Sequence, residues 1–147
     1  MRTGPSAKRP WQRSMIRRPW PSTGFGRALS KMASTKPRRG EVWLAALGAA
    51  RRGEPGKNRP VIVISANEFL VGVDHELIVV VPLSSSLPSS ALRPQVSPDA
   101  GIDKPSAVIS RGIRGVARSR LLRQLGAVDT EKMDEIERAV GLALAMA

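Results

Sequence analysis

Two short runs, Val61-Ile62-Val63-Ile64 and Leu77-Ile78-Val79-Val80-Val81, constrain this chain more than anything else in it. Both are rich in β-branched residues and neither alternates with polar ones. Such side chains favour extended backbone, and an unbroken apolar run implies a strand covered on both faces or rolled into a small barrel. What precedes the first run matters as much. Asn58, Arg59 and Pro60 lead into it, and Pro60 suits the first residue of a strand, where a missing N–H matters least. Arg59 is thereby held at the mouth of a rigid element. The loop before it, Gly48 to Asn58, carries the acid Glu54 and the cation Lys57. A guanidinium offers its donors in a fork that matches phosphate, so the arrangement suits an anionic ligand. A solvated loop arginine beside an ordinary strand is the plainer alternative.

The remaining elements follow in order. Glu41 to Leu47 predicts a first strand, Pro60 to Ser65 a second, and Leu77 to Val81 a third. Ser65 is placed to cap a short helical turn over Ala66–Leu70. A proline-bracketed polar loop, Pro82 to Pro88, follows the third strand and holds Ser84 and Ser85. Arg93 to Ser97, with its flanking prolines, reads as an edge strand, and Ser106 to Ser110 as another. Arg111, Arg114, Arg118, Arg120 and Arg123 then fall within thirteen residues that contain no acid. They read either as a phosphate-facing patch or as a solvated helix face. Gln124 to Val128 predicts a last short strand. Asp129 to Ala147 is the strongest helix: Asp129-Thr130-Glu131 is an N-terminal signature, and Met133, Ile136, Val140 and Leu144 make one apolar stripe. Many strands followed by one helix make an α+β class with an antiparallel sheet.

Composition excludes several chemistries. The chain has 147 residues, enough for one ordinary domain, and no cysteine, which removes disulfides, thiolate nucleophiles and cysteine-ligated zinc. Its single histidine, His75, leaves no room for a two-histidine nuclease centre or a histidine-rich metal site within one chain. No metal or cofactor is expected. No apolar run reaches the roughly 18 residues of a membrane helix, and the basic N-terminus lacks an apolar segment, so the cytoplasm is the expected compartment. The formal net charge is +12, but residues 1–39 hold 11 Lys and Arg and no acid, leaving 13 basic against 12 acidic residues in 40–147. The basicity therefore belongs to the N-terminal arm. Residues 1–36 show no apolar period and read as a disordered basic arm, with 37–147 as the folded domain. Trp11 and Trp20 among the arginines suit stacking on single-stranded bases; the plainer alternatives are a tail with no function or upstream sequence that is not normally translated, with Met15 and Met32 both candidate starts.

Taken together, RRGEVWLAAL at 38–47, GEPGKNRPVIVIS at 53–65, VVVPLSSSL at 79–87, DKPSAVIS at 103–110 and IRGVARSRLLRQLGAVDTEKM at 113–133 resemble the MazF/PemK family of toxin–antitoxin endoribonucleases. The resemblance covers about 110 residues and lies wholly after the N-terminal arm. It implies a small antiparallel SH3-like β-barrel of the MazF/CcdB type, with short helices and a C-terminal helix, working as a homodimer. It implies metal-independent, sequence-specific cleavage of single-stranded RNA (mRNA, rRNA or tRNA) and a cognate antitoxin whose C-terminal segment covers the RNA groove. The family's catalytic arginine precedes the proline of the second strand and corresponds to Arg59. Its catalytic threonine corresponds to Ser84, which keeps the hydroxyl, and its loop glutamate to Glu54. Lys57, Asn58, Ser85, Arg111, Arg114 and Arg118 are the expected RNA contacts. His75 is an acid/base by residue type but matches no family position.

The chain also departs from the pattern. Arg111-Gly112-Ile113-Arg114 stands where many members have acidic-Gln-Ile-Arg, which alters whatever sequence preference that pair confers. Pro55 and Lys57 replace commoner loop residues. Two rival readings use the same barrel without its chemistry: a non-enzymatic gyrase poison of the CcdB type, and a nucleic-acid-binding module driven by the basic arm.

Overall fold

The computed structural model describes residues 36–49, 51–52, 56–70 and 77–146. Among the described residues, seven strands and one α-helix form in the order β1 (Glu41–Ala46), β2 (Asn58–Val63), β3 (Leu77–Ser84), β4 (Gln95–Val96), β5 (Ser106–Val108), β6 (Arg114–Ala117), β7 (Leu121–Ala127) and α1 (Thr130–Ala143). The pairings are antiparallel, and neighbours run β4-β5-β3-β2-β1-β7 with β6 also on β3. β3 is the hub. It pairs with β2 over Val80–Pro82, with β6 over Leu77–Val80 and with β5 over Leu83–Ser84.

The unbroken apolar runs are explained by two cores. Val42, Ile62, Val81 and Leu83 face one side, where Val96, Ile102, Val108, Met133 and Ile136 complete the packing. Trp43, Ala45, Val61, Val63, Ile78 and Val80 face the other, closed by Val116 and Leu121. Alternate residues of β1, β2 and β3 thus enter opposite cores, so their apolar runs are unbroken yet still obey a period of two. The second core draws on β1, β2, β3, β6 and β7, so the sheet curls around it. α1 covers the first through Met133 and Ile136. Truncating a fully buried residue such as Ile62 would cost about 2–5 kcal/mol.

Several boundaries move, each for a local reason. β2 begins at Asn58, so Pro60 is its third residue. It pairs with β3 only from Val61 onward, which leaves one side of the strand open at Pro60. β3 runs on to Ser84 because β5 takes Leu83 and Ser84 as partners, so Ser84 ends a strand rather than lying in a loop. Ser65 caps no helix: its hydroxyl accepts from the Val79 N–H at 2.8 Å, and the 3-10 turn at Asn67–Phe69 follows Ala66. The arginine-rich stretch is not a helix. It contains a 3-10 turn at Ser110–Gly112, then β6, a second turn at Arg118–Arg120 and the start of β7.

α1 starts as expected, with the Asp129 side chain accepting from the Lys132 N–H at 2.7 Å, a cap worth about 1 kcal/mol. It stops at Ala143 because Met146 N–H bonds back to Gly141 O at 2.8 Å and Ala145 N–H to Leu142 O at 3.2 Å, with Ala145 at φ 55°. This left-handed closure usually employs glycine. Leu144 falls beyond it and is exposed, so the apolar stripe ends one turn early. Near the other end of the sheet, Gly101 and Gly126 cross in near contact. A Cβ on Gly101 would lie 2.1 Å from Leu125 O, and one on Gly126 would lie 2.2 Å from Ala100 O. No helix among the described residues is long and apolar enough to cross a membrane.

Candidate active site

The β2–β3 register decides the site. Val61 faces Pro82, Ile62 faces Val81 and Val63 faces Val80. The pairing ends at Val61 and Pro82, and Arg59 and Ser84 each lie two residues past it on their own strands. One lies next to the start of its strand and the other at the end of its own. Arg59 and Ser84 line a single open cleft of about 330 Å³ with Pro60, Leu83, Ser85 and Ser86. Its far wall comes from Ile102, Asp103, Lys104 and Ser106, which lead into β5.

Arg59 is half-buried and held by backbone oxygens. Its Nε donates to Gly56 O at 3.1 Å and its Nη1 approaches Leu83 O at 3.5 Å. These bonds fix the plane of the guanidinium and leave its other N–H groups for an anion. Ser84 is steadied by its own turn: its Oγ lies 3.0 Å from Ser86 Oγ and accepts from the Ser86 N–H at 3.3 Å. On the opposite wall, the buried Ser106 hydroxyl donates to Lys104 O at 3.0 Å and holds the Asp103–Lys104 corner in place. The cleft therefore combines two cations, Arg59 and Lys104, with a row of hydroxyls and, among its described lining, one carboxylate, Asp103. That is a donor-rich surface suited to a phosphodiester.

The loop at the mouth is pinned at its base. Lys57 N–H donates to Gly48 O at 2.6 Å, and Leu47 N–H to Lys57 O at 3.0 Å. Lys57 is exposed and sits at φ 60°, a left-handed conformation uncommon for a lysine. Asn58, also exposed, pairs with Ala46 beside it. Glu54 and His75 lie outside the described residues.

The arginines after β5 separate rather than cluster. Arg111 lines a different cleft, with Leu87, Ser90 and Arg93. Arg114 opens β6 opposite Val80. Arg118 stacks 5.1 Å from the centroid of the Trp43 ring and donates to Leu121 O at 3.3 Å. Trp43 is itself anchored, its indole N–H donating to Glu41 Oε2 at 2.9 Å. Arg120 donates to Ala46 O at 3.2 Å, bracing the end of β1. Asp103, Lys104, Ser86 and Ser106 are the cleft residues that sequence reasoning missed. Their signal was a polar corner just before the short apolar run at 106–109, but its approach to Arg59 depends on β5 pairing with the end of β3.

Comparison with known proteins agrees with this geometry. The model of the PemK-like, MazF-like toxins of type II toxin–antitoxin systems matches residues 38–144. Endoribonuclease MazF9 of Mycobacterium tuberculosis is 31% identical over 114 residues, covering 73% of this chain and 95% of that protein. Endoribonuclease EndoA of Bacillus subtilis is 28% identical over 115 residues, covering 74% and 95%. Among solved structures, MazF from Deinococcus radiodurans superposes with a TM-score of 0.64 at 24% identity, over 76% of this chain and 98% of that one. A mycobacterial endoribonuclease solved with its cognate antitoxin gives 0.63 at 22% identity, over 76% and 97%. With its curled antiparallel sheet, its C-terminal helix and a family match running through nearly every described element, this chain belongs to the PemK-like, MazF-like toxins of type II toxin–antitoxin systems.

Proposed function

We propose that the chain is a toxin that cleaves single-stranded RNA, with the Arg59–Ser84 cleft as its catalytic centre. The observation that carries this reading is the shared β2–β3 register, which brings a carbonyl-held guanidinium and a hydroxyl to one donor-rich cleft. Homology to named endoribonucleases supports the reaction class.

The chemistry uses the substrate's own 2′-OH. Its oxygen attacks the adjacent phosphorus, the bond to the 5′-oxygen breaks, and the products carry a 2′,3′-cyclic phosphate and a 5′-OH. One proton must leave the 2′-OH and one must reach the departing 5′-oxygen. Between these events the phosphorane carries extra negative charge. Arg59 serves that intermediate, since a preorganised donor aimed at developing charge contributes about 3–4 kcal/mol. Guanidinium rarely surrenders a proton, so Arg59 is not the base. Ser84 donates to a non-bridging oxygen. Glu54 orients Arg59 or relays a proton. Lys57, Asn58 and Ser85 hold the flanking strand.

The working unit in this reading is a cytoplasmic homodimer. A cognate antitoxin covers the groove; a mycobacterial endoribonuclease of the same fold has been solved in complex with its own cognate antitoxin. RNA and antitoxin then compete, and a ternary complex with RNA seated in the groove would contradict this. The direct test is incubation of purified protein with total RNA in EDTA, followed by sequencing of 5′-OH ends. Recurrent new ends at one short sequence are expected. Their absence, or an identical pattern from Arg59→Ala, would overturn the assignment and favour a non-enzymatic poison of the CcdB type.

A further inference from the structure

The loop from Ser84 to Arg93 has two sides. Ser84, Ser85 and Ser86 face the cleft just described, whereas Leu87, Ser90 and Arg93 line a second one of about 270 Å³. Its other wall is Ile109, Ser110 and Arg111, the residues that turn the chain from β5 toward β6. No carboxylate occurs among its described lining residues. Arg93 is anchored at its base, where it and Ser90 exchange backbone hydrogen bonds at 2.9 and 3.0 Å, and its Nε reaches Ser90 Oγ at 3.4 Å. Its terminal nitrogens bond to no described residue. Arg111, exposed on its 3-10 turn, likewise bonds to no described residue. Ser110 is completely buried, and its hydroxyl has no partner among the described residues. Buried hydroxyls are seldom left so.

Every polar side chain here can donate, and the charged ones are cationic, so the matching ligand is an acceptor-only anion. We propose that this cleft is a second phosphate subsite for the RNA strand, holding a phosphodiester some nucleotides away from the one at Arg59 and Ser84. The proposal rests on the endoribonuclease reading. RNA is favoured over an acidic peptide by continuity. Ser106 lines one cleft and Ser110 the other, and four residues of extended chain span about 13 Å. A strand seated at Arg59 repeats its charge at every nucleotide and so brings a phosphate to the second cleft. Gly112 sets how Arg111 is presented. A Cβ there would come within 3.2–3.3 Å of the Ile109 and Pro82 side chains, so the bare glycine lets the turn pack on Pro82 with Arg111 outward. Held through phosphate, the contact adds affinity and no base preference.

The test compares the full-length protein with its Arg93→Ala/Arg111→Ala variant. Binding is measured by fluorescence anisotropy on 2′-O-methyl RNA oligonucleotides of increasing length, across a salt series. Parent affinity should step up by up to about tenfold once the oligonucleotide reaches from one cleft to the other. In the variant that step should vanish, and the salt slope should fall by about 0.7, the value for one phosphate on a single strand. Arg111→Glu, a single change on an exposed turn, should remove the step as well, and thermal melting checks that both variants fold. A variant that keeps the step and the slope overturns the subsite. So does one that keeps both while losing affinity for an Asp/Glu-rich peptide, which would assign the cleft to a protein partner. A parent that cleaves RNA yet shows no step refutes this proposal alone. A parent that neither cleaves nor binds RNA refutes the catalytic reading with it.

Discussion

The two clefts flanking the Ser84–Arg93 loop use arginine in opposite ways. Arg59 is tied to Gly56 O and Leu83 O before any ligand arrives, and the rigid end of β2 carries it. Arg93 and Arg111 project from turns with their terminal nitrogens bonded to no described residue. A guanidinium fixed in place can meet charge that appears only in a transition state, because no reorganisation is needed at that moment. One that is free to move can follow a flexible strand but contributes only to holding it. Chemistry and tethering therefore fall on different arginines, and bond partners separate the two classes better than exposure does.

The sharpest way to break this distinction is at Arg59. Arg59→Ala should lower RNA cleavage by about two orders of magnitude or more while the melting curve stays cooperative. Arg59→Lys should recover little, since a lysine cannot reproduce the two-carbonyl grip or the fork. Parent-rate cleavage by the alanine variant would erase the contrast. Next in size, Ser84→Ala should reduce cleavage by roughly tenfold, as expected for losing one hydrogen bond to a charged oxygen worth about 1.5 kcal/mol. Ser84→Thr should be tolerated, and single-turnover rates on the same RNA distinguish the three proteins. The contrast extends to stability. Arg118→Ala removes the stack on Trp43 and a bond to Leu121 O, and should lower stability by about 1 kcal/mol, a few degrees of melting temperature. Arg111→Ala, with no such partner, should stay within about 0.5 kcal/mol. Equal losses in thermal melts would show that Arg111 is also structural. The smallest effect is expected from removing residues 1–31, which carry eight basic residues and lie outside the matched segment. The melting temperature should move by no more than about 2 °C, under roughly 0.5 kcal/mol, and the cleavage pattern should persist, with some salt-sensitive affinity for long RNA lost. An unfolded or inactive 32–147 protein would assign the arm to the structure.

Much of the architecture was legible because short-range signals agreed with the fold. The two β-branched runs became β2 and β3, Asp129 became the cap of α1, and Met133 and Ile136 became its buried stripe. β6 was missed, because Arg114-Gly115-Val116-Ala117 carries little strand propensity and exists through its pairing with Leu77–Val80. The end of α1 was missed because its closing residue is Ala145, not the glycine a reader looks for.

Sequence by itself determined the strand cores, the helix start, and the placement of an arginine and a hydroxyl-rich loop at two strand ends. Those are local properties, set by side-chain shape and by what lies next in the chain. Tertiary structure alone decided that Arg59 and Ser84 share a cleft, that Lys104 and Asp103 join them, and that Arg118 rests on Trp43 while Arg111 turns to a separate pocket. Five arginines in thirteen residues look alike on the page. They acquire different roles only when register and turn geometry give each a different neighbour, and a register is a property of two strands that no single strand encodes.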